Sequence, residues 1–261
     1  MLSAPVDHPL NLVTQSILTY GSYGIGLALF VIAAVFGKRE KTPFYLLILC
    51  ASAFGALAEP LYDIGFMLYF YTPGLWTTFT SYSIPQPVWA YSGYVVLYGG
   101  PAMFICRQIN RGMTRSTLFK WAAVELTCSC VFEMVGINGG AYSYWGPHAF
   151  RILQYPLVIG VLETAQVICF SVAAARLREQ AKSPLALLGL FVLFPCTFYF
   201  GNFGAGAPTI IAIHTDNPAP ALVAFATSLS IVFAACLVWG ASFLLPQAQP
   251  RRAQGWSAAT A

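Results

Sequence analysis

Charge is scarce in this sequence. Lys and Arg number 13 and Asp and Glu nine among 261 residues, 8% of the chain, where a soluble domain carries roughly 25%. Mean hydropathy is +0.68. A chain so poor in charge cannot solvate a globular surface, so water-soluble classes are excluded and an integral membrane protein is expected. The net charge of +4 is no nucleic-acid footprint, because the basic residues fall in short clusters between apolar runs. Phosphate-binding and hydrolase signatures are missing too: there is no GxGxxG, Walker loop, HExxH or GxSxG. The seven cysteines, at 50, 106, 128, 130, 169, 196 and 236, lie in or beside apolar segments. They predict neither a disulfide framework nor a zinc site. No metal or other cofactor is expected. The start, Met1 to His8, lacks the basic stretch of a cleaved signal peptide.

What is present is a series of apolar runs near the ~20 residues a bilayer needs. Seven are placed at about 12–36, 43–70, 86–106, 116–137, 152–175, 184–203 and 219–245. The expected fold is an all-α membrane protein, one transmembrane domain over 1–261, as a bundle of seven transmembrane helices. Lys38, Arg39 and Lys41, then Arg107, Arg111, Arg115 and Lys120, then Arg176, Arg178 and Lys182, then Arg251 and Arg252 follow alternate runs. Arg151 alone falls on the other side. The positive-inside rule then puts the N-terminus outside or lumenal and the C-terminus in the cytosol. The membrane would be the endoplasmic reticulum in a eukaryote and the plasma membrane in a bacterium. The last run contains no Lys, which speaks against a retinal Schiff base despite seven spans.

Five carboxyl groups sit inside these runs: Glu59, Asp63, Glu125, Glu133 and Glu163. Each costs about 2.5–3.5 kcal/mol at a helix centre, and five such costs point to binding or chemistry. Glu59 and Asp63 are four apart and share a helix face, with Pro60 disposed to open the backbone there. Glu133 lies near the outer end of the fourth run at a depth similar to Glu59, so the two are expected to converge on one cavity. Glu163 is read as the most central acid, about twelve residues into the fifth run, either protonated or hydrogen-bonded to partners such as Asn138, Tyr or Gln side chains. Glu125 is deeper, and pairing with Lys120 or Lys182 or a bond across helices is the leading reading for it. Asn202, His214 and Asp216 read as ordinary loop polar groups.

Aromatics crowd the same outer side. Trp76, Tyr142, Tyr144 and Trp145 are candidates for a substrate wall, with Asn138 beside them. The connections from Tyr71 to Pro87 and from Asn138 to Arg151 are too apolar for solvated loops and are expected to fold back as a lid or line a cavity. The segments AEPLYDIGFMLYFYTPGLW and FEMVGINGGAYSYWG echo one another, each running from a Glu through Gly into clustered aromatics. Two copies of a helix–lid–helix unit or chance similarity would both produce this.

An acid, aromatic walls and little water are what proton-initiated carbocation chemistry on a lipid-soluble substrate requires. In size, span number and the acid-plus-aromatic arrangement of Glu59, Glu133 and Glu163, the chain resembles the integral-membrane terpene and meroterpenoid cyclases of secondary metabolism. The likeness lies in architecture, not in a motif. It implies protonation of an epoxide or alkene by a carboxylic acid, no cofactor, a hydrophobic small-molecule substrate, and an upstream prenyltransferase and epoxidase. On this reading Glu59 or Glu133 donates the proton, and Asp63 and Glu163 tune the donor or take a proton back. Sterol-type isomerases look similar at this level. A proton-coupled transporter or small-molecule receptor, with staggered acids as a relay, is the rival class. A subunit whose acids only join helices is the third.

Overall fold

The architecture follows from how each apolar run is stopped. A computed structural model describes residues 3–246; Arg251 and Arg252, which close the charge pattern, lie outside the described residues. Among the described residues seven helical rods are built: α1 Leu12–Glu40, α2 Phe44–Phe66, α3 89–109, α4 Arg115–Asn138, α5 Leu157–Gln180, α6 Pro184–Ile213 and α7 Pro220–Phe243. Five of them, α1, α2, α5, α6 and α7, are long and apolar enough to cross a membrane. Asn11 caps α1, its side chain accepting from the backbone N–H of Val13 and Thr14, and Thr114 caps α4 in the same way. Left-handed Met67 stops α2, and Gly140, at φ +78°, follows the end of α4.

Several boundaries differ from the sequence expectation. α5 begins at Leu157, so Glu163 lies in its second turn rather than near its middle. α6 continues ten residues past its expected end, through a wide π-type turn at Phe200–Gly204 and past Pro208. Asn202 is therefore not a loop residue: it is fully buried inside α6. A polar side chain and two glycines end the hydropathy run there, but the wide turn absorbs them without breaking the helix. α3 has a second π-type turn, Val95–Gly99, and a 3₁₀ turn at Ala56–Ala58 precedes Glu59 and Pro60 in α2.

α5 is the central rod, buried on most of its surface and packed against α3, α4, α6 and α7. α1 lies outside, against α2 and α3. At one end basic residues of two helices and a tyrosine of a third meet Glu40, which accepts from Tyr45 Oη (2.6 Å), Arg178 (3.0 Å) and Arg107 (3.5 Å). The guanidinium of Arg107 also stacks on Phe36, 3.7 Å from the ring centre. This cluster ties together α1, α2, α3 and α5.

The other end is closed by the two apolar connections. β1, Leu68–Phe70, follows α2, and β4, Tyr142–Tyr144, follows α4. They pair antiparallel, Leu68 against Tyr144 and Phe70 against Tyr142. The two echoing segments are thus neighbours in space: each runs from its glutamate, through the end of its helix, into one strand of the pair. β2, Thr77–Ser81, pairs with β3, Ile84–Pro87, and β5, Arg151–Ile152, with β6, Tyr155–Pro156. Arg151, the lone basic residue at this end, donates to the carbonyls of Tyr144, Gly146 and Gln154 at 2.6–2.7 Å. It satisfies backbone that a short, irregular cap leaves unpaired. Gln15 of α1 sews the cap to the bundle, donating to the Gly74 carbonyl (3.0 Å) and accepting from the Trp76 N–H (2.7 Å).

Candidate functional site

Beneath the β1–β4 pair lies a small cavity of about 50 Å³, walled by α2, α3, α4 and α5. Glu59, Glu133 and Glu163 all line it, from three different helices. So do Tyr142 and Tyr144 of the cap. The lining contains no Lys, Arg or His, so no positive side chain of the wall balances the three acids. The remaining wall is aromatic or apolar: Tyr62, Phe70, Trp89, Tyr94, Tyr98 and Phe132, with Leu68, Ala90, Gly93 and Leu97.

Each acid is held by a phenol. Tyr94 Oη donates to Glu59 Oε2 at 2.5 Å, Tyr98 Oη to Glu163 Oε1 at 2.8 Å, and Tyr144 Oη to Glu133 Oε2 at 3.2 Å. Tyr94 and Tyr98 are four apart and so project from one face of α3. Glu163 differs from the other two acids, because Ser129 Oγ donates to its second oxygen. Both oxygens of Glu163 therefore accept a hydrogen bond from the protein. Among the described residues, the other carboxyl oxygen of Glu59 and of Glu133 accepts no hydrogen bond. The Tyr62 hydroxyl is buried on the wall and makes no hydrogen bond among the described residues. Burial, and then the charge of Glu133, holds the Tyr144 phenol well above its ordinary pKa, so it stays a donor at any working pH.

The other sequence candidates lie elsewhere. Asp63 is buried, but its Oδ2 accepts from Gln86 Nε2 of β3 at 2.7 Å and it does not reach the cavity wall. One helical turn separates it from Glu59, yet α2 is ending there and the side chain is drawn to the cap. Asn138 does not bond Glu163. Its amide donates to the carbonyls of Met134 and Leu153 at the end of α4. Trp76 is 41% exposed and sits edge-on to Tyr20. Trp145 packs with Met67, Ala212 and Ile213, outside the cavity. Glu125 is buried, and among the described residues no ion pair joins it to Lys120 or Lys182. It lies at i−4 from Ser129 and i−8 from Glu133, on the same face of α4.

Sequence reading did not single out Tyr98 and Ser129, although both bond Glu163. A serine one turn before an intramembrane acid, and a Tyr-x-x-x-Tyr pair on a neighbouring helix, were the available signals. Neither is specific without knowing which faces meet. No family model, no curated protein and no solved structure matches the chain.

Proposed function

We propose that the chain is a seven-span membrane protein, with the cap facing outside or the lumen, and that the capped cavity is the active site of a cyclase acting on an isoprenoid or meroterpenoid substrate. The observation that carries this reading is the convergence of three carboxyl groups from three helices on one aromatic, cation-free chamber. In the chemistry proposed, the carboxylic acid of Glu133 or Glu59 gives its proton to an epoxide oxygen or to an alkene carbon. The carbon–oxygen bond, or the π bond, breaks and leaves a carbocation on the substrate. A second alkene of the same molecule attacks that carbon and closes a ring. The faces of Tyr62, Phe70, Trp89 and Tyr142 stabilise the travelling charge without trapping it. Glu163, with both oxygens already accepting, receives the proton that leaves the final cation. One proton enters and one leaves, so the net change is an isomerisation and no electrons are exchanged.

Proton transport along staggered acids is less well supported by this geometry. Glu59, Glu133 and Glu163 lie at one end of the bundle, and only Glu125 lies deeper along α4. The deciding experiment is product formation by purified protein from terminally epoxidised prenyl substrates. Removing the proton donor should lower turnover ~10²–10⁴-fold. Turnover that is unchanged in Glu59→Gln, in Glu133→Gln and in the double variant removes the mechanism.

A further inference from the structure

We propose that the acid cavity opens sideways to the lipid between α3 and α4, and that hydrophobic ligands reach it by this route instead of through the cap. The inference rests on the cavity being a ligand site, but not on cyclisation chemistry.

The first observation is a gap in the packing. α3 and α4 are consecutive in the chain, yet they touch each other sparsely; each packs instead on α5. Glu163 of α5 bridges them, accepting from Tyr98 on one side and Ser129 on the other. The second observation is which lining residues are still reachable from outside. Of the fifteen, twelve are buried; Glu59, Leu97 and Phe132 keep intermediate exposure. Leu97 is on α3 and Phe132 on α4, one on each side of the gap. Both are apolar, as a rim open to hydrocarbon requires, whereas a carboxyl group such as Glu59 would be costly there. The third observation is Gly93. It is buried and lines the cavity, yet a methyl group added to it would meet no atom within 4 Å. Open space therefore lies beside Gly93, between the Trp89 and Leu97 positions at i−4 and i+4 on α3.

The cap offers no comparable way in. Leu68, Phe70, Tyr142 and Tyr144 are all at most 4% exposed, and their strands are paired. A substrate dissolved in the bilayer would meet the apolar rim first. Its hydrocarbon would pass Leu97 and Phe132, and its reactive end would arrive among the acids.

A photoreactive probe that stays in the lipid tests this. The protein is reconstituted in phosphatidylcholine liposomes loaded with 3-trifluoromethyl-3-phenyldiazirine, irradiated, and its labelled residues are mapped by mass spectrometry. Labels are expected on Leu97 and Phe132 at the rim and on Tyr62 or Glu133 inside. In the double variant Leu97→Trp/Phe132→Trp, and separately in Gly93→Phe, labelling inside the cavity should fall at least tenfold. Labelling of Phe225 and Trp239 on the exposed face of α7 should stay the same, which reports that the variants are folded and inserted. A wild-type cavity that takes no label, or label that persists at full strength in both plugged variants, overturns the proposal. Labelling that behaves as expected in a protein that never turns over an epoxide would sink the cyclase reading and leave the route standing. Turnover with an unlabelled cavity would do the reverse.

Discussion

Acid should loosen the cap of this protein through His148. The ring is 8% exposed. Its Nε2 lies 2.9 Å from the Phe66 carbonyl oxygen, which can only accept, so Nε2 carries the proton of the neutral ring. Nδ1 is buried and has no partner among the described residues. Protonating it would place a second N–H, and a charge, where nothing can receive either. Burial, and after it the charges of Arg151 and His214, lowers the pKa from 6.5 to about 3. Between those values the unfolded chain takes up a proton that the fold refuses, so stability is lost as the pH falls. At pH 5 the loss is about 2 kcal/mol, from 1.5 pH steps at ~1.4 kcal/mol each. For a chain of this size that lowers the melting temperature by ~4–8 °C between pH 7.5 and pH 5. The assay is tryptophan fluorescence during thermal unfolding in detergent, run on the wild type and on His148→Gln. Other buried groups titrate in both proteins, so the difference between their slopes isolates the histidine. The variant should be flatter by about 2 kcal/mol across this range. Identical slopes would refute the reasoning.

Two further expectations concern the site's roof and the opposite end. Gly136 of α4 lies against the Tyr142 ring, where a Cβ would overlap the phenol. Gly136→Ala should therefore cost about 1–3 kcal/mol by overpacking, read as a lowered melting temperature, and should lower turnover because Tyr142 is displaced from the cavity wall. Glu40→Gln leaves Arg107 and Arg178 without an anionic partner in a half-buried cluster. It should destabilise the fold by about 1–3 kcal/mol with turnover per folded molecule unchanged, because the cluster lies at the end of the bundle away from the cavity. Unfolding curves and active-protein-normalised rates check both statements together.

The number and order of the helices were legible in the chain because hydropathy is a local property. Burying twenty apolar side chains is favourable whichever partner covers them, and charge clusters mark the ends. The acids stood out for the same reason: a carboxyl group within an apolar run is costly wherever the run packs. That reading identified Glu59, Glu133 and Glu163 before any contact was known, but it grouped Asp63, Trp76, Asn138 and Trp145 with them. Proximity along one helix does not decide which way a side chain turns at a helix end. Asp63 sits one turn from Glu59, yet the cap offers it Gln86; Asn138 finds carbonyls of its own helix end and of Leu153. The ends of α5 and α6 were misplaced because strand β6 and a π-type turn do not alter mean hydropathy in the way a loop does.

Composition and periodicity by themselves determined that this chain is built of apolar helices carrying misplaced acids, since each of those facts depends on a residue and its near neighbours. Only the tertiary structure decided that three of the acids share one chamber, that tyrosines of α3 and the cap hold them, and that Ser129 sets Glu163 apart. Those depend on which helix faces meet around α5, and rotating α4 by one residue would put Phe132 or Met134 where Glu133 now stands.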